Sequence, residues 1–238
     1  MNYGAILAGG VGARMGNTKL PKQFLLLGKK PIIIHTIEQF VISEDIDKVI
    51  MAVPSNWLNY TLDIVKKYCK DENVFVITGG ETRNETIMNI CKFIDKEFSA
   101  TEEDIIVTHD AVRPFITQRI IKENINECKK YGAVDTVVPA YDTIVEAKDG
   151  QIISDIPIRD YLYQGQTPQT FKVNELVSTY ENLTDDEKKC LTDAAKMYVI
   201  KNKKVKLVLG ELYNVKITTS YDLKLANLML ANKGEYMA

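Results

Sequence analysis

A glycine-rich segment with nearby cations is the first place in this sequence where chemistry is expected. Residues 7–16 read LAGGVGARMG and follow a short apolar run. Glycine-rich turns after a strand bring backbone amides close to phosphate, because side chains would block the approach. Arg14 lies inside the segment and Lys22 follows in LPKQF, and two such cations would neutralise a triphosphate. The pattern predicts a phosphate-binding loop; the alternative is a glycine-rich turn with two solvated cations.

This segment does not match two common nucleotide-binding motifs. In the dinucleotide motif GxGxxG, Gly10 and Gly12 fit, but Met15 occupies the third glycine position and the expected acidic residue is missing. The Walker motif also fails, since no glycine pair at its spacing is followed by Lys and Ser or Thr. A dehydrogenase is therefore disfavoured.

Asp110 is the second candidate for phosphate chemistry. It follows the apolar run Ile105–His109, so it is predicted at the carboxyl end of a strand, the edge where open parallel sheets bind ligands. Mg²⁺ takes one or two carboxylates together with substrate phosphates, so a single Asp suffices. The alternative is that Asp110 caps a turn or helix. His109 and His35 are predicted to pack rather than to react.

Composition narrows the possible partners. The chain has 238 residues, 45% hydrophobic and 26% charged, with a net charge of −2, so no overall basic field recruits nucleic acid or an anionic membrane. No apolar run approaches the ~20 residues of a spanning helix, and the N-terminus lacks a signal-peptide pattern. The four cysteines are widely spaced, which argues against a zinc site or a disulfide framework. We expect a cytoplasmic protein.

Alternating strands and helices are predicted to position these residues. Strands are predicted at Gly4–Leu7, Lys48–Val53, Val74–Ile77, Ile105–His109 and Ala133–Val138. Helices are predicted between them at Pro31–Ile42, Asn56–Cys69, Glu85–Phe98 and Gln118–Tyr131. This alternation predicts an α/β, Rossmann-like fold with a mainly parallel sheet covered by helices on both faces.

The alternation breaks after Pro139. Residues 140–163 alternate in β fashion around an Asp149-Gly150 turn signal, which predicts a projecting β-arm inserted into a single domain, residues 1–238. A two-stranded arm is marginal alone, so it must pack elsewhere, and a two-fold homodimer is the commonest solution. Beyond the arm, a helix is predicted near Asp185–Lys196, a strand at Val205–Leu209 and a last helix with Ser220 as its N-cap.

Several motifs together resemble the cytidylyltransferases that act on polyol phosphates. They are LAGGxGxRM at residues 7–15, PKQ at 21–23, GGxxR at 79–83, HDAVRP at 109–114 and QTPQ at 166–169. The resemblance runs from residue 3 to about residue 230. It implies a CTP-dependent nucleotidyltransferase that uses a divalent cation such as Mg²⁺, and a homodimer that exchanges its arms.

The resemblance also implies roles for individual residues. Arg14, Lys22, Arg159 and Lys216 would be catalytic cations, and Asp110 would bind the metal. CTP would be bound by Leu7, Ala8, Gly9, Gly10, Gly12, Gly80, Glu81, Thr82, Arg83, Asn84, Glu85, Thr86, Asp110 and Ala111. The acceptor would be bound by Arg113, Thr143, Thr167 and Thr192. Alternatives stay open: Arg83 as a first-turn arginine, Lys216 as an exposed strand lysine, and Arg159 paired with Asp155 or Asp160.

The identity of the acceptor is a more specific prediction than the enzyme class. The segments AVDTVV at 133–138, DTIVE at 142–146 and YQGQTPQTF at 163–171 look like the ribitol-5-phosphate branch, which makes CDP-ribitol for teichoic acid or related surface polymers. The alternative acceptor is 2-C-methyl-D-erythritol 4-phosphate, used in isoprenoid synthesis. A non-enzyme alternative, a nucleotide-sensing module, is disfavoured by Arg14, Lys22 and Asp110 together, because a pure binder needs no groups aimed at a transition state.

Overall fold

A seven-stranded sheet forms the centre of the protein. The computed structural model describes residues 1–10 and 20–232, so the predicted site residues Gly12 and Arg14 lie outside the described part. The strands of this sheet are β1 Asn2–Leu7, β4 Lys48–Val53, β5 Val74–Thr78, β6 Ile105–Asp110, β7 Ala133–Pro139, β8 Tyr163–Lys172 and β9 Lys206–Leu209. Two short strands, β2 Leu26–Leu27 and β3 Lys30–Pro31, pair separately.

The sheet is mainly parallel, as predicted. Its order is β5-β4-β1-β6-β8-β7-β9. The pairs β1–β4, β1–β6, β4–β5 and β7–β9 are parallel, whereas β8 runs antiparallel to both β6 and β7. The carboxyl ends of β1 and β6 therefore meet at one edge, where such sheets bind ligands.

Helices cover both faces of this sheet. They are α1 Ile32–Val41, α2 Leu58–Tyr68, α3 Arg83–Phe98, α4 Gln118–Tyr131, α5 Val173–Glu181, α6 Asp185–Lys189, α7 Ala195–Ile200 and α8 Ser220–Ala231. Side chains of α1, α2 and α4 share one buried core, which we call the α4 face. Side chains of α3, α5 and α7 share the other, the α3 face. The predicted Rossmann-like arrangement is confirmed.

A third, smaller core holds the segment before α8 against the sheet edge. Ile217 is fully buried there with Val112, Phe115 and Ala226. The Ile217 amide donates to the Val112 carbonyl at 2.9 Å. Residue 216 is thereby brought beside the end of β6, and residues 210–219 form no strand, so the alternative of Lys216 as an exposed strand lysine is wrong.

The structure corrects the prediction after Pro139 in three places. β8 and α5 were not predicted; β8 reads YQGQTPQTFK, whose polar composition gives no apolar strand signal, yet it is paired on both edges. The helix predicted at Asp185–Lys196 is divided into α6 and α7. The last helix is capped by Thr219, not by Ser220.

The predicted arm is largely irregular. Residues 140–162 contain one antiparallel bridge, between Glu146 and Asp155, and a short 3-10 helix at Arg159–Tyr161. The turn forms at the predicted place, since Gly150 has a φ of 72° and Asp149 accepts the amides of residues 151 and 152. The positive φ explains the glycine at this position.

The expectations about the cysteines and about membrane-spanning helices can also be compared with the structure. All four cysteines are free thiols, with Cys91 and Cys128 buried and Cys190 exposed. Within the described ranges, no helix combines the length and apolarity that crossing a bilayer requires.

The cap of α8 can be tested by a pair of substitutions. The Thr219 hydroxyl accepts the Asp222 amide at 3.2 Å, and the Asp222 carboxylate accepts the Thr219 amide at 2.8 Å, forming a capping box. Thr219→Ala should lower the free energy of unfolding by about 1 kcal/mol in urea titrations. Ser220→Ala is the matched control and should stay within about 0.5 kcal/mol of wild type. A larger effect of Ser220→Ala would contradict this cap.

Candidate active site

A cavity of about 290 Å³ lies at the carboxyl ends of β1 and β6. Its first wall is formed by the end of β1 and the residues beyond it. The Ala8 amide donates to the Ala52 carbonyl, and the Gln23 side chain donates to the Ala8 carbonyl at 2.7 Å. These bonds fix the start of the glycine-rich segment and place Lys22, which is 9% exposed, on the cavity wall.

The second wall is the N-terminus of α3. The Thr82 hydroxyl accepts the Glu85 amide, while the Glu85 carboxylate accepts the amides of Glu81 and Thr82, both at 3.0 Å. The Gly80 amide donates to the Thr86 hydroxyl at 3.0 Å. A Cβ on Gly80 would lie 2.4 Å from the Glu85 Cβ, so only glycine fits this turn. The positive end of the helix dipole therefore faces the cavity.

Asp110 is the centre of an ion-pair group at the floor of the cavity. Its Oδ1 accepts from the Arg83 guanidinium. Its Oδ2 lies 2.8 Å from Lys216 Nζ and 3.7 Å from Arg113 Nε. Three cations thus share one carboxylate, which leaves the group with an excess of positive charge. A surplus of this kind at a helix N-terminus suits a polyphosphate.

The protonation states at this floor follow from burial and charge. Burial alone would raise the pKa of Asp110, but Arg83, Lys216 and Arg113 outweigh it and hold that pKa far below its usual range. Burial lowers the pKa of His109 to about 4, so its imidazole is neutral at pH 7. The His109 ring packs on Phe40 with 5.4 Å between centroids. As predicted, this histidine is packed inside the protein.

Comparison with known proteins identifies the family. Residues 4–232 match the model of the 2-C-methyl-D-erythritol 4-phosphate cytidylyltransferase (IspD) family. This chain belongs to that family. It is accordingly a CTP-dependent cytidylyltransferase, and the predicted enzyme class is confirmed.

Solved structures share the fold over nearly the whole chain. The 4-diphosphocytidyl-2C-methyl-D-erythritol synthase of Anaerococcus prevotii DSM 20548 has a TM-score of 0.80 and 28% identity, covering 97% of this chain and 96% of that one. The Francisella tularensis 2-C-methyl-D-erythritol 4-phosphate cytidylyltransferase has a TM-score of 0.79 and 27% identity, covering 95% and 98%. Both are named for methylerythritol, the alternative acceptor above.

The structure brings most of the predicted nucleotide-binding residues of this cytidylyltransferase to the cavity. The predicted residues that line it are Leu7, Ala8, Gly9, Gly10, Lys22, Gly80, Glu81, Thr82, Arg83, Thr86, Asp110, Ala111 and Lys216. Gln23 and Val112 also line it but were not predicted, although both fall inside the quoted motifs PKQ and HDAVRP.

Four other predicted residues lie beside the cavity rather than on its wall. Glu85 is engaged in the α3 cap, and Asn84 is buried on the side of α3 that faces the sheet. Arg113 is buried and donates to the Asn214 carbonyl at 2.7 Å. The Thr167 hydroxyl accepts the Asp110 amide at 3.2 Å and lies 2.9 Å from His109 Nδ1. Arg113 and Thr167 therefore hold Asp110 in place from behind.

The remaining predicted site residues in the described ranges, two acceptor threonines and the catalytic Arg159, are exposed. Thr143 and Arg159 lie in the arm, where the Arg159 guanidinium donates to the Tyr141 carbonyl at 3.1 Å, and neither lines the cavity of its own chain. Thr192 lies in the turn before α7 and is also exposed.

The ion-pair group predicts a large effect of neutralising Asp110. Asp110→Asn should lower the free energy of unfolding at pH 7 by on the order of 2–3 kcal/mol, because Arg113 and Arg83 lose their counter-charge. The loss is smaller than for a fully buried pair, since the Lys216 side chain is 42% exposed. Glu123→Gln, which removes the exposed pair with Arg119, is the control and should change stability by less than about 0.5 kcal/mol.

Wild type and Asp110→Asn should differ less in their free energy of unfolding at acidic pH. The folded-state pKa of Asp110 is lowered, so the stability it contributes is present above its unfolded pKa of about 3.9 and is lost as the pH falls further. Urea unfolding at pH 7 and at pH 3 should therefore show a narrowing gap between wild type and Asp110→Asn. A gap that does not narrow would mean that the Asp110 charge is not its source.

Proposed function

We propose that this chain transfers CMP from CTP to the phosphate group of a small polyol phosphate, giving a CDP-polyol and pyrophosphate. The observation that carries the proposal is the cationic group around Asp110, which shares one cavity with Lys22 and the N-terminus of α3. In this proposal, Gly80, Thr82 and Thr86 shape the CTP side of the cavity, and Lys216 reaches the acceptor phosphate.

The chemistry that these residues supply is charge neutralisation. A phosphate monoester has a second pKa of about 6, so the acceptor is mostly a dianion at neutral pH and needs no general base. One of its oxygens attacks the α-phosphorus of CTP, and the bond to the β-phosphate oxygen breaks to release pyrophosphate. Repulsion between two polyanions opposes this approach, and Lys22, Lys216 and Arg83 would reduce it. Arg14 would act alongside them.

Mg²⁺ is the proposed cofactor, with Asp110 as its protein ligand. In the described ranges, no group of three His, Cys, Asp or Glu side chains is placed to hold a metal. Such a site fits Mg²⁺ that takes most of its ligands from substrate phosphates and water. When bound, the metal would neutralise phosphate charge. Both oxygens of Asp110 also contact cationic side chains, so metal and cations would share this carboxylate.

Two acceptors compete for the proposal. The names of the family and of the two solved relatives support 2-C-methyl-D-erythritol 4-phosphate more directly. The segments AVDTVV and YQGQTPQTF support ribitol 5-phosphate, and the first of them places a carboxylate, Asp135, within a mainly apolar strand. Because identity to those relatives is only 27–28%, we retain ribitol 5-phosphate as the acceptor to be tested first.

Pyrophosphate release decides between these acceptors. With CTP and Mg²⁺, we expect kcat/KM to be at least about tenfold higher for ribitol 5-phosphate than for methylerythritol 4-phosphate, equivalent to about 1.4 kcal/mol of discrimination. Reactions without acceptor correct for CTP hydrolysis. Faster release with methylerythritol 4-phosphate would assign the chain to the alternative, and release with neither would contradict both.

The arm supports a proposed homodimer. Apolar side chains along it are exposed in the single chain, with Ile152 71% and Tyr161 78% exposed. An irregular segment with one β-bridge gains little by itself, and a second copy would bury these side chains. Arg159 could then contribute to the partner's cavity, as the resemblance implies.

Complementation tests this exchange of arms. Lys22→Ala and Arg159→Ala should each abolish most activity, because they damage the same site from different chains. After equal mixing and subunit exchange, about half of the dimers are mixed and each has one intact site, so roughly a quarter of wild-type activity should return. Lys148→Ala, in the same arm, is a control that should remain active. No recovery despite demonstrated exchange would place Arg159 in its own chain's site or outside any site.

A further inference from the structure

Asp135 is a carboxylate where the strand pattern calls for an apolar side chain. It lies in β7, which reads AVDTVVP, between Val134 and Thr136. Thr136 faces α4, since its hydroxyl accepts from the Asn124 amide at 2.9 Å. Because strand side chains alternate, Asp135 lies on the α3 face with Ala133. It is half-buried there and stays open to solvent.

Asp135 lies on the same face of the sheet as Asp110, beyond the residues that line the cavity. Gln169 of β8 stands opposite both Asp135 of β7 and Thr108 of β6. Thr108 is two residues before Asp110 and shares its face of the sheet. With neighbouring strands about 4.8 Å apart, Asp135 lies roughly 10 Å across the sheet from the strand that carries Asp110. Gln169 is buried between them, so a polyol chain whose phosphate lies near Asp110 would have to pass beyond the cavity wall to meet the exposed part of Asp135.

Asp135 is held in place but not neutralised. The side-chain Nε2 of Gln169 donates to its Oδ1 at 3.1 Å, and the side-chain Oε1 of Gln169 accepts the Ala194 amide at 3.3 Å. Burial raises the pKa of Asp135 to about 6; the bond from Gln169 opposes this shift, and the charge of Asp193 adds to it. Arg83, from the first turn of α3, is near enough to act on the same carboxylate. At neutral pH this carboxylate is ionised and would be stabilised by further donors.

A second acceptor on this face lacks a donor. Asn84 follows Arg83 and shares the stripe of α3 that includes Ile87 and Cys91, which pack on the α3 face. Its side chain is 5% exposed, and among the described residues its Oδ1 has no hydrogen-bond partner. Buried acceptors are normally paired, so this oxygen leaves one hydrogen bond open in the first turn of α3, beside the cavity.

We propose that Asp135 is a specificity-determining residue that accepts hydrogen bonds from the hydroxyl groups of a linear polyol phosphate, with Gln169 orienting it. The inference rests on the proposed function, since it names the half of the acceptor that the phosphate-binding cations do not touch. Hydroxyl groups donate charge-assisted hydrogen bonds to a carboxylate, and ribitol 5-phosphate carries its hydroxyls on a chain one carbon longer than that of methylerythritol 4-phosphate, whose methyl group cannot donate. The longer, unbranched chain is thereby favoured over the shorter, methyl-branched one.

Binding measurements on two variants test the proposal. Ribitol 5-phosphate and methylerythritol 4-phosphate are titrated calorimetrically into the full-length protein with Mg²⁺ and a CTP analogue whose α and β phosphorus atoms are joined by methylene. Asp135→Asn should weaken ribitol 5-phosphate binding about tenfold to a hundredfold, the usual range for losing a hydrogen bond to a charged group. Methylerythritol 4-phosphate and the CTP analogue should bind within threefold of wild type. Asp135→Leu should further narrow the preference between acceptors.

The melting temperature distinguishes a role of Asp135 in acceptor binding from a purely structural role. A half-buried carboxylate disfavours the folded state, so the melting temperature of Asp135→Asn at pH 8 should equal or exceed that of wild type. Asp63→Asn, at an exposed position of α2, is the matched control and should bind both acceptors normally. Equal weakening of both acceptors and of the CTP analogue, or a clear drop in melting temperature, would assign Asp135 a structural role and overturn the proposal.

Two further outcomes are also decisive. Unchanged ribitol 5-phosphate binding in Asp135→Asn, or tighter binding of methylerythritol 4-phosphate by wild type, would overturn the proposal while leaving cytidylyl transfer intact. Selective loss of ribitol 5-phosphate binding in Asp135→Asn, combined with no pyrophosphate release by wild type, would support Asp135 and contradict the proposed function instead.

Discussion

The contact of one buried carboxylate with three cations is the interaction on which the rest of the site depends. Asp110 is 6% exposed, and Arg83, Arg113 and Lys216 converge on it from three separate parts of the chain. Without that carboxylate, like charges would face one another at the end of β6, and with it they stand together with a positive surplus. The fold positions these cations: Arg83 lies in the first turn of α3, and the small third core holds the segment that contains Lys216 beside Asp110.

This arrangement explains why a phosphoryl-transfer site can do without a histidine or a nucleophilic side chain. The neutral His109 lies behind Asp110 and packs on Phe40, with Thr167 joining the two residues of β6. Positioning and charge are what the transfer between two phosphates requires. The same surplus of positive charge attracts anions before any contact with base or polyol is made, and Mg²⁺ would be bound there together with substrate phosphates.

The sequence predicted the regular half of the fold well, because apolar periodicity is strongest there. Lys48–Val53 and Gln118–Tyr131 have the predicted bounds, since each is a clear β-branched run or amphipathic stripe. Tyr163–Lys172 was missed because tertiary pairing, not local pattern, makes this polar segment a strand. Ser220 was preferred to Thr219 because the two are adjacent hydroxyl residues, and only the bond from Asp222 distinguishes them.

For the site residues too, those in local motifs could be predicted, whereas those placed by long-range strand pairing could not. Motifs after β1 and before α3 were readable because glycines and cations cluster in the sequence, and Gly9, Gly10, Lys22, Gly80 and Arg83 from these motifs line one cavity. The sequence showed Asp135 within the motif AVDTVV but not where it lies relative to Asp110. That position depends on strand β8, which was not predicted and lies between β6 and β7. In the site proposed above, β8 separates the charged half on β6 from the half on β7 that would face the hydroxyl groups of the acceptor. A substitution on β7 can alter which polyol is accepted while the ion pairs that handle the phosphates remain unchanged.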